Sequence, residues 1–340
     1  MNEEYTIGVY IDTEGETPFP LVKAHADFML FRLFESTSSD NRAIINLLWG
    51  YGVFATVIAF AVLFIAVYSI RKFSAARSGA DFEFRRTSDE STLELKFGAF
   101  ALCSVIVMGL ISVKLIFTMD EIKDAVLEPD LEVVAHQWWW EIRYPKLGVT
   151  TANVAHIPKG KKLLVSITSA DVIHDWWVPG LGRKMDAVPG RTNQFYLQAA
   201  ETGNYEGVCN EFCGQQHAWM RIRVVADEEA DFLNWVESEK EDAETPRSES
   251  ARRGLQLFQD MSCSSCHRIR GTEAQADVGP ELTHLASRPT ILSGMMDYSK
   301  DNLHRWLRDP QSVKQGAYMP RFIFTKQELD DLVNYLDGLK

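Results

Sequence analysis

The stretch from Cys209 to Met220 is the part of this sequence best suited to bind a metal. Within twelve residues it carries two thiols, an imidazole and a thioether, from Cys209, Cys213, His217 and Met220. Thiolate and imidazole ligands together select copper or zinc, and the thioether favours copper. A mononuclear copper site of this kind uses one cysteine, two histidines and a weak methionine, so the extra cysteine is enough to bridge a second copper ion. His174 is the upstream histidine available to complete the ligand set.

A disulfide between Cys209 and Cys213 is the alternative for this pair. The two cysteines are four residues apart, and disulfides persist outside the cytoplasm. A disulfide, however, does not need a histidine and a methionine at fixed positions after it, so the spacing favours a metal. His174 taken alone would more often be an ordinary core or surface histidine, and it gains weight only from the resemblance given below.

A second pair of cysteines forms the sequence Cys263-Ser-Ser-Cys266-His267. The pattern C-x-x-C-H is the attachment motif of c-type haem. Its thiols form thioether bonds to the porphyrin, and its histidine becomes an axial ligand of the iron. The motif alone is also compatible with half of a zinc site or with a redox dithiol. The sixth ligand of such a haem should be a methionine, which raises the reduction potential.

Two apolar stretches are long enough to cross a membrane as helices. Residues 43–70 carry no charged side chain, and residues 97–119 carry only Lys114, whereas a span needs about 20 apolar residues. A buried helix of a soluble protein is the alternative for each stretch. Cys103, alone in the second stretch, is most simply a small apolar residue.

The distribution of basic residues predicts the topology. Residues 71–96, between the two stretches, hold six lysines and arginines, and the longer segment before residue 43 holds three. Basic loops stay in the cytoplasm, so both termini and everything after Asp120 should lie on the periplasmic side of a bacterial inner membrane. No cleavable signal peptide is visible at the start of the sequence. Covalent haem attachment also takes place outside the cytoplasm, in agreement with this topology.

Composition divides the rest of the chain into three parts. Short β-rich runs broken by turn residues between residues 131 and 225 predict an all-β sandwich or barrel. A stretch of charged residues with almost no apolar side chains is typical of a linker. The residues after it have the apolar spacing of helices. The predicted domains are an extracytoplasmic segment 1–42, a transmembrane hairpin 43–119, a β domain 120–236, a linker 237–252 and a helical domain 253–340.

The chain of 340 residues has a net charge of −12. This acidic balance argues against a nucleic-acid partner and would suit a basic protein partner. It is equally compatible with a role in solubility alone, so the charge does not identify a function.

Residues from about 44 to 225 resemble cytochrome c oxidase subunit II. The resemblance rests on an upstream histidine followed by the pattern C-x-E-x-C-x3-H-x2-M, the dinuclear copper (CuA) motif of that family. It implies a cupredoxin-like Greek-key sandwich in which both cysteines bridge two coppers, one histidine caps each copper and the methionine is a weak ligand. The implied ligands are His174, Cys209, Glu211 through its backbone carbonyl, Cys213, His217 and Met220.

Further positions extend this resemblance. The side chain of Glu211 is implied to bind a magnesium ion shared with subunit I. Trp138 is implied to be the residue at which electrons arrive, with a membrane-interface aromatic as the alternative. Glu94 stands where the family has a glutamate at the mouth of a proton path into subunit I, with an ordinary solvated glutamate as the alternative. The segments 119–122 and 184–191 also resemble the family.

Residues from about 250 to 340 resemble class I cytochrome c. Pro280 stands where those proteins have a proline whose carbonyl orients the axial histidine. Met319 precedes a proline in a segment similar to their distal loop, so it is the implied sixth ligand. Met295 and Met296 are alternatives that lack this setting.

The two resemblances imply an electron-transfer subunit of a proton-pumping terminal oxidase. Electrons would pass from a cytochrome c or an upstream respiratory complex to the fused haem c, then to CuA, then to the haem of subunit I, where oxygen is reduced to water. The implied partners are subunit I, other oxidase subunits, the electron donor and membrane lipid, and magnesium is a further implied cofactor. No residue of this chain is expected to act as a catalytic acid, base or nucleophile. A free-standing membrane-anchored carrier and a copper-delivery protein are the alternatives.

Overall fold

The computed structural model describes residues 37–73, 90–119 and 128–340. Most of the predicted segment 1–42 and of the basic loop lies outside the described residues, as does the segment 119–122 beyond its first residue. The two long helices form one compact unit, and the chain from Pro129 onward belongs to another.

The first unit consists of α1 (Ser39–Phe73) and α2 (Glu90–Met119). Both predicted spans fall inside these helices, whose apolar windows have mean hydropathies of 2.6 and 2.4. The helices contact each other through Tyr51, whose hydroxyl lies 2.5 Å from Ser112 Oγ and 3.1 Å from the Met108 carbonyl oxygen. Large apolar side chains are exposed along both helices. This exposure is consistent with a membrane anchor, because lipid would cover such side chains.

Two five-stranded sheets form the predicted β domain, and their order confirms a cupredoxin-like sandwich with crossing connections. The strands are β1 (Leu131–His136), β2 (Trp139–Tyr144), β3 (Val149–Ala152), β4 (Val154–Pro158), β5 (Leu163–Ser169), β6 (His174–Trp177), β7 (Lys184–Ala187), β8 (Asn193–Leu197), β9 (Gly203–Cys209) and β10 (Arg221–Asp227). One sheet has the order β3-β2-β1-β5-β8 and the other β4-β10-β9-β6-β7.

The alternation of side chains explains why these segments are strands. In β1 and β10 every second residue is buried, as in a strand with one face on a core. Both sheets contribute to one core, whose largest side chains include Trp140, Trp176 and Phe195. Gly207 in β9 is required by close packing, because a Cβ there would lie 2.7 Å from Ile222 Cγ2.

Helix α3 (Glu229–Glu239) packs on the sandwich. Its residue Phe232 is buried, and the ring of Trp235 stacks on His156 with centroids 4.3 Å apart. Trp235 also meets Tyr144 edge to face, with centroids 5.3 Å apart. Aromatic contacts of this geometry add to the stabilisation that burial of the rings provides, so the helix belongs to the β domain.

The connection between the β domain and the helical domain is shorter than the sequence predicts. Helix α3 ends at Glu239 and α4 (Glu249–Asp260) begins at Glu249, so residues 240–248, and not 237–252, form the irregular connection. Charge alone is a poor guide here, because the solvent-exposed face of a helix is also rich in charged side chains.

Helices are the main regular elements of the C-terminal domain, as predicted. They are α4, α5 (Lys300–Arg308), α6 (Pro310–Val313) and α7 (Lys326–Leu336). Ser248, Ser299 and Thr325 cap α4, α5 and α7, since each side chain accepts a hydrogen bond from a backbone N–H of the first turn. A short strand pair that the sequence did not predict joins β11 (Thr290–Ile291) to β12 (Met296–Asp297).

Gly254 allows α4 and α7 to cross closely. A Cβ at this position would collide with the backbone carbonyl of Asp331 and lie 2.7 Å from Tyr335 Cβ. Beside the crossing, the Arg253 guanidinium donates to the Asp331 carboxylate at 2.7 and 2.9 Å. This hydrogen bond from Arg253 lowers the pKa of Asp331 to about 2, so the carboxylate is charged at neutral pH and holds the two helices together.

Replacing Gly254 by alanine should destabilise the C-terminal domain. The methyl group does not fit against Asp331, and overpacking of this kind costs up to about 3 kcal/mol, more than the roughly 1 kcal/mol that alanine gains over glycine within a helix. Amide hydrogen exchange in α4 and α7 should therefore become faster. Gln256→Ala, at an exposed position of the same helix, is the matched control, and equal exchange in the two variants would contradict this role of Gly254.

Candidate metal and haem centres

Strand pairing brings the first two predicted metal ligands together. His174 begins β6 and Cys209 ends β9, and these strands are antiparallel neighbours in which Trp176 lies opposite Cys209. The loop from Asn210 to Met220 then returns the chain to β10. A hydrogen bond of 2.9 Å from the Cys209 backbone N–H to the Met220 carbonyl closes this loop.

All six predicted ligand groups converge on one buried position. The ligand atoms of His174, Cys209 and Cys213 lie within 4.8 Å of one another, and Met220 is also buried. The individual separations are 3.8 Å for Cys209 Sγ to Cys213 Sγ, 3.8 Å for His174 Nδ1 to Cys209 Sγ, 3.6 Å for Cys213 Sγ to His217 Nδ1, 3.9 Å for Cys213 Sγ to Met220 Sδ and 3.3 Å for Cys209 Sγ to Glu211 O.

The separation of the two sulfur atoms fits a shared metal and excludes a disulfide in this structure. A disulfide requires an S–S distance of about 2.05 Å, whereas Cys209 Sγ and Cys213 Sγ are 3.8 Å apart. Two thiolates on one tetrahedral metal, each bound at about 2.3 Å, lie roughly 3.8 Å from each other. The donor set of two sulfurs, two imidazoles and a thioether therefore fits copper.

Asp171 orients His174, and the sequence analysis missed it. Its Oδ1 lies 2.8 Å from His174 Nε2, so the other ring nitrogen, Nδ1, faces the cysteine sulfurs. Burial lowers the pKa of His174, but the hydrogen bonds to Asp171 and Cys209 outweigh burial and raise it. Carboxylates in this position fix the tautomer and the orientation of a metal-binding histidine. An aspartate three residues before the histidine was the only signal in the sequence.

The two thiols influence each other's protonation. A hydrogen bond between them lowers the pKa of Cys209 and raises the pKa of Cys213. Cys209 is thus the thiol of the pair that loses its proton more readily, and the deprotonated form is the one that binds metals.

Trp138 lies directly against this cage. It is 7% exposed, and its indole Nε1 donates a 3.0 Å hydrogen bond to the Cys213 carbonyl oxygen. The neighbouring Gln137 amide donates to the same oxygen at 2.6 Å. Trp138 is therefore a buried side chain of the β domain, held against the copper-binding loop by its own hydrogen bond.

Other predicted positions near the cage are exposed or paired. The side chain of Glu211 is exposed, while its carbonyl faces Cys209. In the segment 184–191, the ammonium of Lys184 lies over the Trp177 ring, 4.9 Å from its centroid. Burial and the neighbouring carboxyl of Asp186 raise the pKa of Asp175 to about 7.

The C-x-x-C-H motif folds as a tight turn that presents His267. Residues Cys263–Ser265 form one 3-10 turn, and the His267 backbone N–H donates to the Cys263 carbonyl at 3.1 Å. The His267 ring donates from Nδ1 to the Pro280 carbonyl oxygen at 2.8 Å, which leaves Nε2 available for iron. This is the orientation that the resemblance implied for Pro280.

Gly279 and Arg288 complete the fit to a haem, and the sequence analysis named neither. A Cβ on Gly279 would lie 2.6 Å from His267 Cε1, so glycine lets the ring lie flat against the backbone. The Arg288 side chain is 9% exposed and pairs with Glu281 at 3.2 Å, and its buried Nε has no hydrogen-bond partner within the part of the chain that the structure describes. A buried donor of this kind suits a carboxylate, and haem carries two.

The remaining predicted residues stay predictions. Met319 and Met296 both pack against the core of the C-terminal domain, so packing does not separate these two candidates for the sixth ligand. Met295 is half-buried in the turn before β12. Glu94 lies near the start of α2 with an exposed side chain. Among the described residues, it is the one predicted to take part in the proton path.

Comparisons with known proteins find relatives of both the β domain and the C-terminal domain. The family model of the periplasmic domain of cytochrome c oxidase subunit II matches residues 147–227, and the cytochrome c model matches residues 251–340. Cytochrome c oxidase subunit 2 of Alkalihalophilus pseudofirmus is 32% identical over 290 residues, which cover 84% of this chain and 83% of that protein. The Bacillus subtilis subunit 2 is 31% identical over 222 residues, 62% of each chain.

A solved structure is also similar in part. The periplasmic domain of subunit II of cytochrome oxidase from Bradyrhizobium japonicum is 34% identical and covers 34% of this chain and 97% of that domain, with a TM-score of 0.32. The sequence matches extend from the membrane helices to the cytochrome domain. This chain therefore belongs to the cytochrome c oxidase subunit II family, and it carries a C-terminal cytochrome c domain.

Proposed function

We propose that this chain passes electrons from its fused haem c to a dinuclear copper centre and on to the haem of subunit I in a proton-pumping terminal oxidase, where oxygen is reduced to water. The observation that carries the proposal is the convergence of two cysteines, two histidines and a methionine on one buried position at the end of a β-sandwich. Family membership supports the role in a haem–copper oxidase.

In this proposal each cage residue has one role. Cys209 and Cys213 would both bind the copper pair, and His174 and His217 would each bind one of the two ions. Met220 would be a weak ligand, and Glu211 would supply its backbone carbonyl. The copper pair, when bound, accepts and releases one electron at a time. Because the ligands come from loops fixed by paired strands, the chain holds the same geometry in both redox states and leaves no open position for a substrate.

The haem residues are proposed in the same way. Cys263 and Cys266 would form the thioether bonds to the haem, and His267 and Met319 would bind its iron. The chain itself orients His267 through the Pro280 carbonyl and keeps space for the ring with Gly279. A cytochrome c or an upstream respiratory complex is the proposed donor to this haem.

The surface beside the copper cage suits a large partner subunit. Val172, Ile173 and Phe212 are 39%, 47% and 76% exposed, although large apolar side chains are usually buried. Exposed apolar groups of this kind mark protein interfaces, so we assign this surface to subunit I. Glu211, next to Phe212, is proposed to share a magnesium ion with it, and Glu94 is proposed to open a proton path into it.

The proposed orientation places both termini and both redox domains on the periplasmic side of the inner membrane, with two membrane passes. The basic residues between α1 and α2 support this orientation. The requirement for extracytoplasmic haem attachment supports it independently.

Metal analysis tests the function directly. We expect two coppers and one covalently bound haem c in each chain, with the near-infrared absorption of a mixed-valence copper pair. Subunit I should co-purify when the chain is isolated from its native membrane. Labile Cu(I) without near-infrared absorption would indicate copper delivery instead, and isolation as a stable single chain would contradict the oxidase role.

Cys213→Ser should abolish the copper centre and leave the haem in place. The bridging thiolate is lost, while the C-terminal domain is untouched. The matched control is Cys103→Ser, because Cys103 lies alone and exposed in α2 and its loss should leave both cofactors at parent levels. Retention of two coppers in Cys213→Ser would contradict the proposed ligand set.

Asp171→Asn should weaken copper binding about 10- to 100-fold, since loss of a partner that orients a ligand has this effect in other metal sites. Copper retention is measured by competition with a chelator and by EPR. Asp227→Asn is the matched control, because Asp227 also bonds a histidine, His156, at 2.8 Å but lies away from the cage. Equal copper affinities in the two variants would contradict the role of Asp171.

A further inference from the structure

The cytochrome domain donates two hydrogen bonds to the backbone of Trp138. The carbonyl oxygen of this residue accepts a hydrogen bond of 3.0 Å from Lys314 Nζ and one of 2.7 Å from Ser293 Oγ. Both donors belong to the C-terminal domain, whereas Trp138 belongs to the β domain. We call these three residues the Trp138 latch.

Lys314 is unusual because it is buried. Its exposed fraction is 5%, and lysine is almost never fully buried without a partner. Removal of an ammonium group from water is costly, and burial lowers the pKa of Lys314 to about 7. Its partners are the carbonyl oxygens of Trp138 and Leu292, the latter at 3.2 Å. These acceptors lie in different domains, so only the docked arrangement satisfies the side chain with both.

Tyr318 covers the Trp138 ring from the same side. The two rings are stacked, with centroids 5.8 Å apart and an interplanar angle of 20°. The Tyr318 hydroxyl donates to Gln137 Oε1 at 2.6 Å. Tyr318 is also the residue before Met319, so the contacts run without interruption from the proposed haem ligand through Tyr318 and Trp138 to the Cys213 carbonyl.

Two more contacts widen this interface. Gln216 Nε2 donates to the Gln315 carbonyl at 2.5 Å, and the Arg221 backbone N–H donates to the Ser293 carbonyl at 3.1 Å. The interface therefore includes Gln216 within the copper-binding loop and Arg221 directly after it. A domain that merely diffused on a flexible tether would not bury a lysine or share a set of directed hydrogen bonds with its neighbour.

We propose that the Trp138 latch keeps the cytochrome domain docked on the copper domain, so that Tyr318 rests on Trp138 and no external electron donor reaches that residue. External donors would then reduce only the fused haem. Each transfer across the interface oxidises the haem iron by one electron and reduces the copper pair by one, and no bond is made or broken. The path of the electron rests on the proposed function, whereas the docking itself does not.

Cleavage of the linker tests the docking without any redox measurement. A recognition sequence for a specific protease is inserted after Glu244 in the full chain, and the solubilised protein is cut there. The cytochrome domain should remain bound to the rest of the protein in size-exclusion chromatography. If the cytochrome domain of the cleaved protein without further substitutions separates at once, at the concentration at which the protein is purified, the proposal is overturned.

Substitutions in the cleaved protein test the latch itself. Lys314→Met should weaken the association of the two parts roughly 10- to 100-fold, because both hydrogen bonds from Lys314 are lost and the buried Trp138 carbonyl loses one of its partners. Lys326→Met removes the same charge at an exposed position of α7 and should leave the association unchanged. If the two parts of the cleaved protein associate equally well in both variants, Lys314 does not hold the domains together.

Ser293→Ala is a second test of the latch, to be used if Lys314→Met folds poorly. Poor folding would be visible in the haem spectrum. It removes one oxygen and one hydrogen bond, so the association should weaken roughly 2- to 10-fold. No weakening in a correctly folded Ser293→Ala protein would also overturn the latch.

Flash-induced electron transfer tests the contact of the two rings. Tyr318→Leu removes the stacked ring and should slow copper reduction by the haem at least several-fold, whereas Tyr318→Phe retains the ring and should not. Equal rates in the two variants would overturn the role of Tyr318. Absence of copper or haem in the parent protein would instead refute the proposed function and leave the docking result standing.

Discussion

The pairing of β6 with β9 is the constraint on which the metal site depends. It places the start of one strand beside the end of the other, so His174 and Cys209 meet although 35 residues separate them. The loop that follows Cys209 then has only to turn back into β10 to bring Cys213, His217 and Met220 to the same position. Because the hydrogen bonds of the sheet hold both strands, the ligand geometry is determined before any metal binds.

Two of the three proposed metal-binding histidines are oriented in the same way. One ring nitrogen donates a short hydrogen bond, from His174 to the Asp171 carboxylate in the β domain and from His267 to the Pro280 carbonyl in the helical domain. The other ring nitrogen is then directed at the ligand position, and rotation of the ring would break the bond. Two unrelated folds in one chain thus solve the problem of ligand orientation through a neighbouring oxygen atom.

The contacts between the two domains determine how the fused cytochrome domain is oriented on the β domain. A flexible tether alone would provide an effective concentration on the order of mM, with the cytochrome free to approach from many directions. The contacts at Trp138 instead define one orientation, in which the Tyr318 ring lies on the indole and the indole lies on the copper loop. The short connection 240–248 is compatible with this arrangement because the domains are already neighbours.

The local chemistry of this protein is predictable from short segments of its sequence. The ligands between Cys209 and Met220, the C-x-x-C-H motif and the apolar spans are all contained within short segments, and their spacing is visible without a fold. The β domain was likewise predictable, because a core-facing strand alternates buried and exposed residues. His174 was included only through the resemblance to a family, since no local spacing connects it to the cysteines.

The distant residues that support these motifs are recognisable only in the folded chain. Lys314 and Ser293 are 176 and 155 residues from Trp138 in the chain, and a lysine in a polar loop carries no sign that it will be buried. Asp171 and Gly279 became recognisable once the histidines beside them had a defined orientation. The linker is also shorter than its charge pattern predicts, because charge describes what faces water, whereas packing against a neighbouring element decides where a helix continues.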